Sequence, residues 1–158
     1  MTKFLPTLAV LLAAASSLAQ TAAPPAPAAT PSPGFAAPAD DGLFRELGGR
    51  PGIDALVGEF VPRLVADPRT GEFFKKSNQA HLKEMLALQF CVVSGGGCTY
   101  TGLPMDKAHH DMDISKSDFN ALVEVLQASM DARQVPFATQ NRLLARLAPM
   151  HRQIVNVH

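Results

Sequence analysis

From residue 43 onward, apolar positions recur at spacings of three and four. Ile53, Leu56, Val57, Phe60 and Leu64 form one such stripe, preceded by Pro51 and ended by Asp67-Pro68. Pro62 lies inside it; it removes the hydrogen bond to the Gly58 carbonyl and predicts a kink. Leu82, Leu86 and Phe90 step by four and share one helix face, with Met85 and Gln89 beside them. Ser77 or Asn78 can cap that helix, and Gly95-Gly96-Gly97 breaks it. Ser115-Lys116-Ser117-Asp118 reads as a capping box before a third stripe, Phe119, Leu122, Val123, Leu126 and Met130. Gln134-Val135-Pro136 is a connector, and Leu143, Leu144, Leu147 and Met150 line a last helix with Pro149 near its end. A short helix over Leu43–Leu47, capped by Asp40 or Asp41, is stopped by Gly48-Gly49. No convincing strand alternation or internal repeat accompanies these stripes. The predicted fold class is therefore all-α with short connections.

The N-terminus has a different texture. Lys3 precedes an apolar run, Phe4 to Ala15, and then Ser17 and Ala19 at small-residue positions. This is the pattern of a secretory signal over residues 1–19, cleaved before Gln20; an uncleaved anchor is the other reading. Residues 20–41 are rich in alanine and proline, a composition that favours extended coil over a core, so they are expected to form a disordered linker. The folded domain is then 42–158. Export places the protein in the periplasm, or on the envelope if the signal stays attached, with no transmembrane span after signal removal. Lys plus Arg and Asp plus Glu both number 14 in a chain of 158 residues, so the basic footprint of a nucleic-acid binder is missing.

Cys91 and Cys98 flank the triple glycine. In an exported protein an even pair argues for a disulfide, with two buried thiols as the alternative. The spacing fits neither a Cys-x-x-Cys redox motif nor haem c attachment.

The segment Gly102-Leu-Pro-Met-Asp-Lys-Ala-His-His holds the candidate chemistry. A short helical run, Met105 to His110, puts Met105 and His109 on one face, where an apolar side chain can steady an imidazole. Neutral imidazole is a common iron ligand. His110, Asp111 and Asp113 read as a solvated turn.

Leu-Phe-Arg-Glu-Leu-Gly-Gly (43–49), Phe60, Ala66-Asp67-Pro68 and Phe73-Phe74 resemble the first half of a group I truncated haemoglobin. Gly95-Gly96-Gly97, Tyr100-Thr101-Gly102, Met105, His109, Ile114, Phe119, Val135-Pro136 and Leu147-Ala148-Pro149 resemble its second half. The resemblance spans nearly all of 43–155. It implies a two-over-two helical sandwich around haem b, with His109 as proximal iron ligand. Met105, Phe60, Val61, Phe73, Phe74, Leu82, Leu86, Phe90 and Phe119 would then contact the cofactor. The implied function is binding of O2, NO or CO, as oxygen carriage or NO handling. Turnover of NO would need a reductase not identified in the sequence.

Departures from the family pattern bear on ligand choice. Val61 stands where the family usually has a tyrosine, and Leu86 where it often has glutamine; Leu82 is also apolar. Bound O2 carries partial negative charge, and a donor aimed at it in a dry pocket contributes about 1–3 kcal/mol. Without that donor, faster O2 release and a preference for CO and NO are expected. Met85 or His81 could supply a sixth ligand; five-coordinate ferrous haem is the sharper expectation. The competing class is a haem-free helical module serving structure or protein interaction.

Overall fold

The computed structural model describes residues 38–157. The expected signal and most of the expected linker lie outside the described residues. Eight α-helices and one 3-10 turn make up the elements of this region: α1 (Gly42–Glu46), α2 (Gly49–Ala66), α3 (Gly71–Phe74), α4 (Gln79–Ser94), α5 (Met105–Ala108), α6 (Lys116–Ala132), α7 (Phe137–Leu147), the 3-10 turn (Ala148–Met150) and α8 (His151–Ile154). Four long helices carry the fold. α2 packs on α4, α6 packs on α7, and the two pairs meet through α2 against α6 and α4 against α7.

The caps explain most of the boundaries. The Asn78 side chain accepts hydrogen bonds from the amides of Ala80 and His81, fixing the start of α4. Gly95 ends α4 in the left-handed region at φ 91°. A Cβ on Gly95 would lie 2.1 Å from the Asp40 carbonyl oxygen, so the incoming chain runs directly over this turn. The Ser115 and Asp118 side chains exchange hydrogen bonds with each other's backbone amides, completing the expected capping box at α6. At α1 the Asp40 carboxylate accepts from the Gly42 amide, while Asp41 occupies the N-cap and its carboxylate pairs with Arg45 instead of capping the helix amides.

α2 continues through Pro62 as one 18-residue element, and Pro62 lies on its exposed side. Two expectations change. The last helix is divided, because Pro149 brings in a 3-10 turn before α8. The buried face of α6 is also rotated from the large-residue stripe. Ala121, Val125, Leu126, Ser129 and Met130 are buried, whereas Phe119, Leu122 and Val123 are half-buried.

Ile53, Leu56, Val57, Phe60, Val61 and Leu64 of α2 are all buried and meet Phe90, Cys91 and Val93 of α4 in one core. Phe60 and Phe90 stack with ring centroids 6.4 Å apart. Each such fully buried side chain contributes about 1.5–3 kcal/mol of transfer free energy. Cys91 and Cys98 form a disulfide with Cα atoms 5.8 Å apart. Among the described residues, no helix is long and apolar enough to cross a membrane.

Candidate functional site

α5 is a single turn, and His109 is its C-cap rather than an interior residue. The His109 amide donates to the Met105 carbonyl at 3.2 Å. The ring Nδ1 lies 2.8 Å from the same oxygen. An oxygen that only accepts requires a proton on Nδ1. The neutral ring then keeps its lone pair on Nε2, the state of a metal-ligating histidine with its other nitrogen anchored. Met105 itself is buried, and His109 is half-buried.

α4 faces this segment. The Gln89 side-chain amide lies 3.5 Å from the Met105 sulfur and 3.2 Å from the Met150 sulfur. A Cβ on Gly102 would come within 3.0 Å of the Met85 sulfur and 2.4 Å of the Tyr100 hydroxyl, so a larger residue there would push these side chains aside. Burial pushes the Tyr100 phenol above its ordinary pKa. Leu82, Met85 and Leu86 are half-buried along α4. On α6, the half-buried Phe119 meets His151 edge-on, with centroids 4.9 Å apart.

The other residues expected at the site lie in three places: the core, α3 and the surface. Phe60, Val61 and Phe90 belong to the close-packed core between α2 and α4. Phe73 and Phe74 sit half-buried on α3, where Phe74 packs against that core. His81 is on the surface, with Nδ1 3.9 Å from a Glu84 oxygen. His110 is exposed, 2.8 Å from an Asp111 oxygen. A surface hollow lined by Arg63, Asp67, Arg69, Glu124 and Val125 includes none of the chosen residues. It is an ion-paired groove, since Arg69 bonds both Asp67 and Glu124.

Three residues of the site escaped the sequence reading. Gln89 had a visible signal, a polar side chain three residues after Leu86 on an apolar face. His151 and Asn156 reach the site only through tertiary packing.

The side-chain chemistry suits a flat, apolar, metal-centred ligand: one imidazole with its tautomer fixed, and half-buried leucine, methionine and phenylalanine side chains on α4 and α6. A family model for bacterial-like globins matches residues 42–156. The chain belongs to the bacterial-like globin family. Within it, the relatives of this globin are group 1 truncated haemoglobins. The one from Mycolicibacterium paratuberculosis is 29% identical over 112 residues, covering 71% of this chain and 82% of that protein. The one from Nostoc sp. is 27% identical over 114 residues, covering 72% and 97%. The crystal structure of the Tetrahymena pyriformis truncated haemoglobin in its Fe(III) form has a TM-score of 0.70 at 25% identity, covering 72% of this chain and 97% of that one. The two layers of long helices in this globin are therefore the two-over-two sandwich of that group. Its family implies haem and haem-based gas binding.

Proposed function

We propose that this globin holds haem b, with His109 Nε2 as the axial donor, and binds O2, NO and CO. When bound, haem supplies a ferrous iron that takes diatomic gases. The protein's part is to hold, orient and shield it. The Met105 carbonyl keeps the His109 proton on Nδ1 and the ring in one orientation. Leu82, Leu86 and Val61 carry no hydrogen-bond donor, so these side chains give the partial negative charge of bound O2 no stabilisation, and CO and NO are favoured over it. Oxygen carriage and NO handling both follow from this chemistry, and NO turnover would draw electrons from a separate reductase.

The observation that carries the reading is the 2.8 Å contact between His109 Nδ1 and the Met105 carbonyl. The test is expression with haem supplied. A Soret band at one haem per chain and a five-coordinate ferrous spectrum are expected. A ferrous spectrum unchanged in His109→Ala, or six-coordinate without added ligand, overturns the assignment. Mixing the oxy form with NO in a stopped-flow instrument tests the NO reaction; absence of nitrate dismisses it.

A second reading, a haem-free structural or protein-interaction module, draws on one observation. α4 and α5 already touch through Gln89 and Met105. Failure to take up stoichiometric haem would favour it.

The site of action we propose is the bacterial envelope. The signal-like residues 1–19 and the Cys91–Cys98 bond support this, because disulfides persist in oxidising compartments.

A further inference from the structure

We infer that Asn156, near the C-terminus, is a positioning residue for His109. The inference rests on the haem reading given under Proposed function.

The loop that follows α5 is unusual. Asp111 and Asp113 both have positive φ, 61° and 50°. Aspartate adopts the left-handed region more readily than most L-residues, and two such turns within three residues fold the chain back sharply between His109 and Ile114. One residue grips both ends of this loop. The Asn156 side-chain nitrogen donates to the His109 carbonyl at 3.1 Å. Its side-chain oxygen accepts from the Ile114 amide at 2.6 Å. Its own amide donates to the Ile114 carbonyl at 3.0 Å, and the Val157 amide reaches the same oxygen at 3.2 Å. Val155, just before, is buried and anchors the strap.

The two backbone groups of His109 are thus both held. Its amide is held by Met105, and its carbonyl accepts both from the Met112 amide within the loop, at 3.3 Å, and from the Asn156 side chain, which ties it to the C-terminal segment. Together they fix the peptide planes either side of the Cα, and so the direction of the Cα–Cβ bond that carries the ring. The Met105 carbonyl then sets the ring's rotation. Asn156 never touches the imidazole, and acts through the main chain alone. A carboxamide is required, because the strap donates at one end and accepts at the other. This separates a tail that merely packs from one that orients the ligand.

The experiment compares Asn156→Ala and Asn156→Asp in the full chain with haem bound. The aspartate keeps the acceptor for the Ile114 amide but puts an oxygen against the His109 carbonyl. Two readouts are taken: the iron–histidine stretching frequency in the ferrous resonance Raman spectrum, and the rate of haem transfer to an excess of an apoglobin acceptor. Hydrogen exchange at the Ile114 amide, measured without haem, reports the strap itself. The expected result is a shifted or broadened stretch and roughly tenfold faster haem loss in both variants. Ile114 protection should fall in Asn156→Ala and be retained in Asn156→Asp. Wild-type Raman frequency and haem loss in Asn156→Asp, with Asn156→Ala altered, reduce the residue to a tail clamp and overturn the inference. So does wild-type behaviour in both. Absence of an iron–histidine band in the wild-type protein, or its survival in His109→Ala, instead overturns the haem reading beneath it.

Discussion

The imidazole of His109 and the main-chain carbonyl of Met105 form a pair in which the side chain of Met105 takes no part. The amide and ring of one residue converge on a single oxygen one helical turn earlier. Replacing the methionine side chain should therefore leave the ligand in place. Met105→Leu is expected to cost under about 1.5 kcal/mol, as volume-conserving core changes do. It should retain one haem per chain and the wild-type ferrous spectrum, checked by haem titration and chemical unfolding. Loss of haem in this variant would show that the thioether, not the carbonyl, organises the site.

Leu86 is half-buried on α4, one turn after Leu82. Leu86→Gln should place an amide donor there with little loss of packing. Such a donor contributes about 1–3 kcal/mol toward a partially negative ligand, which slows O2 release by roughly tenfold. CO release should change less than twofold. Ligand-displacement stopped-flow on both gases measures the contrast; equal slowing of the two would refute a hydrogen-bonding origin.

The disulfide closes a short loop, with a sequence separation of 7. The chain-entropy relation assigns such a loop about 2–3 kcal/mol. Reductant, or Cys98→Ala, should lower the stability of the protein by that amount. The two treatments should not add, since they remove the same bond. Denaturant titrations with and without reductant give the answer directly.

The Asp118 carboxyl is held below its ordinary pKa by hydrogen bonds from the Ser115 hydroxyl and the Ser115 amide. A carboxyl with a lowered folded pKa stabilises above its unfolded value, near 3.8, and that contribution is lost as pH falls through the folded value. Wild-type stability should therefore decline in this acid window, and Asp118→Asn should flatten part of the decline. Ser115→Ala should cost about 1 kcal/mol at neutral pH. Thermal unfolding from pH 7 to pH 3 separates the two effects.

Gly95 and Gly97 offer a controlled comparison. Both have positive φ, 91° and 69°. A Cβ on Gly97 meets open space, whereas one on Gly95 meets the Asp40 carbonyl. Gly97→Ala should cost about 1–2 kcal/mol, from backbone strain alone. Gly95→Ala should cost clearly more, because the segment at Asp40 must also move. Equal losses would mean that Asp40 yields freely.

Helix positions were legible because the stripes in α2, α4 and α7 follow large apolar residues. The caps at Asn78 and Ser115 were legible because they depend on residues three apart. The buried face of α6 was only half legible. Ala121 and Ser129 are buried through their small size, and a stripe read from large residues points away from them. In the site, His109 stood out by its motif, and its tautomer did not. That depends on a 2.8 Å contact with a carbonyl whose placement needs the turn to be built. Asn156 was silent for another reason. Its partners are 47 and 42 residues away, and nothing local distinguishes it from a solvated tail residue.

The bond between Cys91 and Cys98 joins the last turn of α4 to the strand of chain that leads to Tyr100, Gly102 and α5. It works as a binding sewn along one spine. The leaves on either side cannot part there, whatever thermal motion does elsewhere.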